Sequence, residues 1–173
     1  NEFIDIRIAG NKVAHMAGPT GQAGDIRGIV FLEPRKQAEI EKDFAPDPFV
    51  RERLLKVEHF PALTAAGITH PSDEPFQIEA LSIVFLKPGP KRPTQEKGHR
   101  NYLRKLWANG DLRFFASFPG NKELYGVLIF HQTMKEEVEA LAADDPMVEE
   151  GSLVWSVHPQ YLGKGTLRKK AGA

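Results

Sequence analysis

The sequence contains no cysteine, which excludes disulfide bonds, thiolate metal sites and a cysteine nucleophile. No apolar run approaches the roughly 20 residues that a transmembrane helix needs. Lysine plus arginine equals aspartate plus glutamate, at 23 each, so no general field attracts the chain to nucleic acid or to an anionic membrane. We therefore expect neither nucleic acid nor a membrane among its partners.

The sequence also lacks metal-binding and phosphate-binding motifs. Stretch 18–24 has three glycines but neither a strand-loop-helix context nor a Walker lysine. Five histidines show no metal-ligand spacing such as His-x-x-x-His: His15, His59, His70, His131 and His158. We therefore expect no metal and no cofactor.

One predicted helix, over Thr94–Ala108, has a single imidazole on its apolar face. The residues of this face recur at i, i+3, i+4, i+7 and i+8, and they are His99, Tyr102, Leu103, Leu106 and Trp107. This pattern predicts that His99 points towards the core.

A second amphipathic helix is predicted from Met134, and its inward stripe consists of Met134, Val138, Leu141 and Ala142. The next inward position is Asp145, and Pro146 then ends the helix. Because the macrodipole already places negative charge at a helix C-terminus, a carboxylate there needs a cation or several donors. We predict that Asp145 meets His99.

The chain contains an internal repeat. With an offset of 98 residues, the matching pairs are Gly28 and Gly126, Asp47 and Asp145, Val50 and Val148, Leu55 and Leu153, and Pro61 and Pro159. At an offset of 100, Gly10 matches Gly110 and Pro19 matches Pro119. The expected organisation is a first copy at 1–63, a linker at 64–75, a second copy at 76–162 and a basic tail at 163–173.

Hydrophobic patterns predict the elements of each copy. In the first copy we expect the last turns of a helix over Asn1–Ala9, strands over Lys12–Ala17 and Ile26–Glu33 around a loop at 18–24, a helix over Arg35–Ala45 and a strand over Leu54–Phe60. In the second we expect strands over Ile78–Leu86, Leu112–Ser117, Leu124–His131 and Leu153–Val157, besides the two helices, with Thr94 as an N-cap. The second copy thus has the order βαββαβ, and the fold class is α+β with ferredoxin-like units.

The second copy resembles the YCII-related family of the dimeric α+β barrel superfamily. The likeness rests on Gly98-His99-Arg100-Asn101-Tyr102-Leu103, on Gly110, and on Asp145-Pro146-Met147-Val148. The first copy resembles the same family through Ala17-Gly18-Pro19 and Asp47-Pro48-Phe49-Val50. Together the likeness covers most of the chain.

The resemblance implies two antiparallel sheets packed face to face as a barrel, either between two chains or between the halves of a tandem protein. It also implies a His and Asp pair as the site, and characterised members include a dehydrochlorinase of aromatic ring degradation. In one departure, Ser117-Phe118-Pro119 stands where the family often has Ala-Gly-Pro. In another, the first copy lacks its opening strand and most of its first helix.

That second departure leaves Asp47 without a histidine partner in this sequence. A ferredoxin-like sheet also has its first strand in the middle, so the first copy would have unpaired backbone groups. We expect about 25 further residues upstream in the native polypeptide, as the repeat requires; the alternative is a strand swapped from another chain. The start at Asn1 shows no export signal, and we expect a cytoplasmic protein.

Two functions from different classes follow. The first is a small cofactor-independent lyase or isomerase, in which His99 moves a proton and Asp145 orients it, acting on a polar aromatic or enol-type metabolite. Candidate substrate-binding residues are Tyr102, Ser117, His131, Trp155 and Asp47, with strand alternation able to aim His131 and Trp155 into the barrel. The second is a non-catalytic binding or assembly module. In either case we expect a homo-oligomer or an intrachain pseudo-dimer.

Each assignment has a structural alternative. His99 and Asp145 can be a satisfied buried pair that links two helices. Asp47 can be part of an Asp-Pro turn, and Trp155 can be a core residue.

Overall fold

The computed structural model describes residues 14–23, 26–32, 34, 36–64, 69 and 74–167. The elements in chain order are β1 (Ala14–Ala23), β2 (Ile26–Leu32), α1 (Gln37–Phe44), α2 (Pro48–Arg51), β3 (Leu63–Thr64), β4 (Glu74–Pro88), α3 (Glu96–Asn109), β5 (Leu112–Ser117), β6 (Gly126–Phe130), α4 (Lys135–Ala143), α5 (Pro146–Glu149) and β7 (Leu153–Lys164). The α+β class with antiparallel strands is confirmed. The helix expected over Asn1–Ala9 lies outside the described residues.

The described strands form a sheet in the order β2-β1-β7-β4-β6-β5-β3. β4 runs through its middle, pairing with β7 on one side and with β6 on the other. The apolar run from Ile83 to Leu86 is buried on both faces of the sheet, as expected for a central strand. The second half of the chain therefore provides the four central strands of the sheet, β7-β4-β6-β5, and most of the core.

Helices α3, α4 and α5 pack on one face of this sheet. Alternate strand residues point to that face and, together with buried residues of the three helices, form the helix-side cluster: Val84, Leu86, Leu106, Leu112, Leu128, Phe130, Val138, Ala142, Met147, Leu153 and Val157. Each fully buried aliphatic or aromatic side chain contributes about 1.5–3 kcal/mol. This cluster therefore fixes where α3 and α5 lie, and with them the candidate site.

The opposite face of the β7-β4-β6-β5 strands is covered by β2, which belongs to the β1–β2 hairpin at one edge of the same sheet. The buried residues on this face form the hairpin-side cluster: Leu81, Ile83, Phe85, Phe114, Ala116, Phe118, Val127, Ile129, Leu162 and Leu167. From β2, Ile26, Ile29 and Phe31 pack against it, and the rings of Phe31 and Phe114 are 4.6 Å apart in an edge-to-face arrangement. Side chains therefore fill the space between hairpin and sheet at these positions.

Helices α1 and α2 contribute no buried residue. Several large apolar side chains nearby are exposed: Phe49, Leu54, Phe60 and Leu63. In the second half, by contrast, α3, α4 and α5 each bury at least one residue. None of the helices in the described part is long and apolar enough to cross a membrane.

Two predictions for the first half are wrong. The expected loop at 18–24 is largely strand, because Gly18 and Pro19 pair with Ile29 and Gly28 in the β1–β2 ladder. The expected strand over Leu54–Phe60 is irregular. A strand needs a partner, and here the short β3 pairs with β5 instead, Leu63 facing Ser117. In the expected first copy, β1 and β2 are the second and third strands, which pair directly with each other, and the missing neighbour would lie on the outer side of β2, at the edge of the described sheet.

Two predictions for the second half are also wrong. Strand β7 does not end before Pro159, which pairs with Ser82 and is followed by Gln160 paired with Leu81. Alternate N–H groups of a strand point away from a given neighbour, so a proline is tolerated at such a position. The expected basic tail consequently begins later, since Gly163 and Lys164 belong to β7 and Leu167 is buried.

Candidate active site

His99 lies in the first turns of α3 and is 5% exposed. Leu106, two turns later on the same face, is the other buried residue of this helix. The helix ends at Gly110, whose φ of 84° is the left-handed conformation of a glycine C-cap. The sequence pattern therefore placed both the inward face and the end of this helix correctly.

His99 and Asp145 are in direct contact. The distance from His99 Nδ1 to Asp145 Oδ2 is 2.6 Å, and Asp145 is 1% exposed. The other carboxylate oxygen, Oδ1, accepts the backbone N–H of Met147 at 2.9 Å. The carboxylate is thus held by backbone on one side and by imidazole on the other, so its orientation is fixed.

The local structure around Asp145 differs from the single helix expected from Met134. Helix α4 stops at Ala143, and Asp145 is the N-cap of the separate four-residue helix α5, with Pro146 as its first residue. Asp145 therefore faces N–H donors rather than the carbonyl end of a helix. Met134 is not on an inward stripe: it is the N-cap residue of α4 and is 59% exposed.

Gly98 allows α3 to approach α5 closely. A Cβ atom at this position would lie 3.2 Å from Pro146 Cβ and 3.2 Å from Gln95 Oε1. A glycine inside a helix costs about 1 kcal/mol relative to alanine, so its presence needs a packing reason. The close contact with Pro146 is that reason, and it brings His99 within reach of Asp145.

Glu150 makes a second link between the two helices. Its carboxylate accepts the Thr94 N–H at 3.0 Å, the Thr94 hydroxyl at 2.5 Å and the Gln95 N–H at 3.3 Å. Hydrogen bonds from Ser152 and Thr94 lower the pKa of Glu150 to about 2. Thr94 is therefore not the N-cap that we expected; Gln95 is, without a side-chain cap bond, and Glu150 binds the free N–H groups.

Two tyrosines flank the pair. The Tyr102 hydroxyl donates to the Leu141 carbonyl at 2.9 Å, and burial, with the nearby Asp144, Asp145 and Asp111 carboxylates, raises its pKa to about 12. The Tyr125 ring lies edge-on to His99 with centroids 5.6 Å apart. Burial, followed by Glu96 and Asp145, raises the pKa of Tyr125, while Arg100 lowers it. Both phenols therefore stay neutral at physiological pH.

Ser117 and Trp155 lie in one row across the sheet, at the same end as the pair. The paired residues of this row are Trp155, Leu86, Gly126 and Ser117, in that order. Directly paired residues point to the same face, and Leu86 belongs to the helix-side cluster. Trp155 packs on that cluster rather than pointing into a space between sheets. Three strand spacings place it roughly 14 Å from Ser117.

The other predicted residues are not at the pair. His131 is exposed and follows β6 at the end away from Tyr125, roughly 20 Å along the strand; its prediction as an inward-pointing residue is wrong. Asp47 caps α2, where its Oδ1 accepts the N–H groups of Phe49 and Val50 at 2.7 and 3.3 Å. It therefore acts as the turn residue of the structural alternative, and neither of these hydrogen bonds involves His99.

Sequence reasoning missed three residues that shape this site: Gly98, Tyr125 and Glu150. Gly98 could have been recognised, since an unexplained glycine interrupts the predicted Thr94–Ala108 helix. Nothing in the sequence indicated a role for Tyr125 or Glu150, because their contacts join residues far apart in the chain. Within the described ranges, no group of three or more His, Asp or Glu residues is arranged to hold a metal ion.

Comparison of the chain with protein-family models, with curated proteins and with solved structures gave no match. The geometry of the site is therefore the basis on which a function is assigned.

Proposed function

We propose that the protein is a small cofactor-independent enzyme that moves a proton on a polar aromatic or enol-type metabolite, as a lyase or isomerase. The observation that carries the proposal is the buried 2.6 Å contact between His99 Nδ1 and Asp145 Oδ2. His99 would move the proton, and Asp145 would orient the ring and stabilise the imidazolium that forms.

The proposal assigns the reacting nitrogen. Asp145 Oδ1 already accepts the Met147 N–H, so the carboxylate is not free to rotate, and Oδ2 favours the tautomer with hydrogen on Nδ1. His99 Nε2 then carries the lone pair and serves as the general base. Tyr125, edge-on to the imidazole, would form an aromatic wall beside a flat substrate.

A ferredoxin-like, YCII-like origin of the second copy belongs to the same proposal. Its strands lie in the order fourth, first, third, second, as β7-β4-β6-β5, and its helices cover one face. Packing of β2 on the other face supports an intrachain pseudo-dimer in which the first copy is the partial partner. Because side chains fill that face, the substrate would approach His99 from the helix side.

The test is solvent exchange on candidate substrates. Enolisable aromatic and enol-type acids are incubated with the protein in D2O, and deuterium incorporation at carbon is followed by proton NMR. His99→Ala should lower the exchange rate by about 100-fold or more, while Glu139→Gln, which removes a carboxylate from a surface pair with Lys135, should leave it unchanged. Equal rates in wild type and His99→Ala would contradict the proposal.

A second measurement checks the tautomer. In Asp145→Asn, the amide oxygen can still accept the Met147 N–H, which turns the amide NH2 towards His99 Nδ1 and forces the hydrogen to Nε2. Nitrogen-15 NMR of the imidazole should show this switch, together with loss of exchange activity. A switch without loss of activity would remove Nε2 from the mechanism.

A non-catalytic binding or assembly module is the second candidate. It is favoured by the bonding of both Asp145 oxygens, as in a structural link between helices. It predicts that Asp145→Ala destabilises the fold while the wild-type protein catalyses no exchange on any compound of the panel.

A further inference from the structure

Two segments 98 residues apart have the same backbone structure. We call residues 45–55 the first turn and residues 143–153 the second turn. Asp47 and Asp145 each cap a four-residue helix that starts with proline. In each case the N–H two residues after the aspartate binds its Oδ1, at 2.7 Å in the first turn and 2.9 Å in the second.

The likeness continues to the end of both turns. Leu54 N–H donates to the Phe49 carbonyl at 2.8 Å, and the equivalent Ser152 N–H donates to the Met147 carbonyl at 3.0 Å. The preceding residue is left-handed in both, with φ of 59° at Arg53 and 83° at Gly151. Arg53 is the one non-glycine residue with positive φ in the described ranges. The first turn therefore holds this shape even where it is strained.

In the second turn, two acidic side chains bind α3. Asp145 binds His99, and Glu150 binds the N–H groups of Thr94 and Gln95. The first turn has an acid at both equivalent positions, Asp47 and Glu52. Across the described ranges, Asp47 binds only the backbone of its own turn, and Glu52 pairs only with its neighbour Arg51.

The apolar side chain at the centre of the turn is exposed in the first turn and buried in the second. Met147, which follows Pro146, is 1% exposed, whereas Phe49, which follows Pro48, is 57% exposed. Single exposed apolar residues are common. Here, however, Phe49 lies between Asp47 and Glu52, and the counterparts of both acids bind the N-terminal part of α3.

In the described part of the sheet, β2 has an unpaired edge, and the repeat predicts a strand followed by an α3-like helix beside that edge. With the offset of 98, β2 corresponds to β6, whose far neighbour is β4, the strand that leads into α3. β2 is the outermost strand of the described sheet. A strand paired with the outer edge of β2 would therefore be followed by a helix at the position equivalent to that of α3.

We propose that the first turn is a docking surface for an amphipathic helix with the chemistry of α3, presented by a different protein rather than by a second copy of this chain, whose own α3 is already bound to the second turn. The helix presents its first free N–H groups to Glu52, a histidine four residues later to Asp47, and an apolar face to Phe49. Docking completes a second buried His and Asp pair. This proposal does not depend on catalysis at His99.

Disulfide capture tests the proposal, because the chain has no cysteine. A Cβ on Gly98 would lie 3.2 Å from Pro146 Cβ, close to the roughly 3.5–4.5 Å of a disulfide. The probe is therefore a synthetic peptide of residues 93–110 carrying Gly98→Cys, and the chain carries Pro48→Cys, the equivalent position. An intrachain Gly98→Cys/Pro146→Cys variant provides the reference rate.

We expect capture at position 48 to be about tenfold faster than at position 58 in a Glu58→Cys chain, where the exposed residue forms a surface pair with Lys56. Adding His99→Ala to the peptide, or Asp47→Asn to the chain, should each slow capture by about tenfold, because each removes a hydrogen bond to a charged group. Asparagine still caps a helix, so Asp47→Asn keeps the first turn folded. Equal rates at positions 48 and 58, or rates insensitive to His99 and Asp47, overturn the proposal.

A measurement without cysteines covers the case in which Pro48→Cys does not fold. The unmodified peptide is titrated into the wild-type chain, and amide NMR signals are compared between the two turns. Shifts at residues 47–55 support docking. Shifts confined to residues 145–153 mean that the peptide only displaces α3, and concentration-dependent dimerisation that shifts residues 47–55 without peptide assigns the surface to a second copy. Either result overturns the proposal.

Discussion

Asp47 and Asp145 cap two short helices in the same way, yet Asp145 is 1% exposed and Asp47 is partly exposed. The aspartate, the proline and the two N–H groups that follow are sufficient for the turn itself, because they interact only with one another. What buries Asp145 is α3, which brings His99, Thr94 and Gln95 against the second turn. The first turn therefore shows what the local sequence stabilises alone, and the second turn shows what a docked helix adds to that stability.

The largest expected effect is a difference between the two aspartates. Asp145→Ala should lower the free energy of unfolding by about 3 kcal/mol because it breaks a buried pair. Asp47→Ala should lower it by only about 1 kcal/mol because it removes a cap alone. Urea unfolding of both variants at neutral pH measures the difference, and equal losses would mean that contact with His99 adds nothing to the cap.

The left-handed residues give the next effect. Gly151→Ala should destabilise the protein by about 1–2 kcal/mol, since its φ of 83° disfavours any side chain. The atoms nearest to a Cβ there belong to the flexible Lys91 side chain, at 3.6 Å, so the cost is conformational. Arg53→Gly should stabilise by about 1 kcal/mol for the opposite reason. Thermal unfolding of the two variants should show shifts of opposite sign; shifts of the same sign would contradict equivalence of the turns.

Gly98→Ala tests the close approach of α3 to the second turn. Helix propensity alone predicts a gain of about 1 kcal/mol, but overpacking against Pro146 costs about 1–3 kcal/mol, so we expect a net loss of about 1 kcal/mol. Adding Pro146→Ala should restore part of that loss, because it removes the atoms that the new Cβ meets. A stabilised single variant would show that the helices separate at no cost.

The smallest expected effect is the acid sensitivity of the Glu150 link. Its folded pKa of about 2 lies below the ordinary value of 4.5, so its contribution is present above pH 4.5 and is lost as the pH falls towards 2. Glu150→Gln should therefore flatten the dependence of stability on pH in this range. A Glu150→Gln variant whose stability depends on pH as steeply as that of the wild type would contradict this.

The contact of His99 with Asp145 was predictable because the position of each residue follows from its neighbours in the sequence. Helical periodicity aims His99 inward, and an aspartate before a proline marks a turn. The interpretation of that turn was less successful: Asp145 was expected at the end of one helix, and it begins another. A boundary between two short helices depends on hydrogen bonds that periodicity does not reveal.

Predictions that depend on a distant partner failed for a physical reason. Leu54–Phe60 has the composition of a strand, but a strand forms only where a neighbour supplies hydrogen bonds. Pro159 suggests a strand end, yet Gln160 continues the pairing with β4. Glu150 gave no signal at all, since its bonds to Thr94 and Gln95 span more than 50 residues.

The burial of Met147 has a consequence for how the protein responds to oxidants. Its sulfur lies 3.8 Å from the Tyr125 hydroxyl, under α3, whereas Met134 is 59% exposed. Peroxide converts accessible thioethers to sulfoxides, so Met134 should be modified freely and Met147 only while α3 is lifted from the second turn. The ratio of the two sulfoxides, measured by peptide mass spectrometry, then reports how often α3 separates from the second turn.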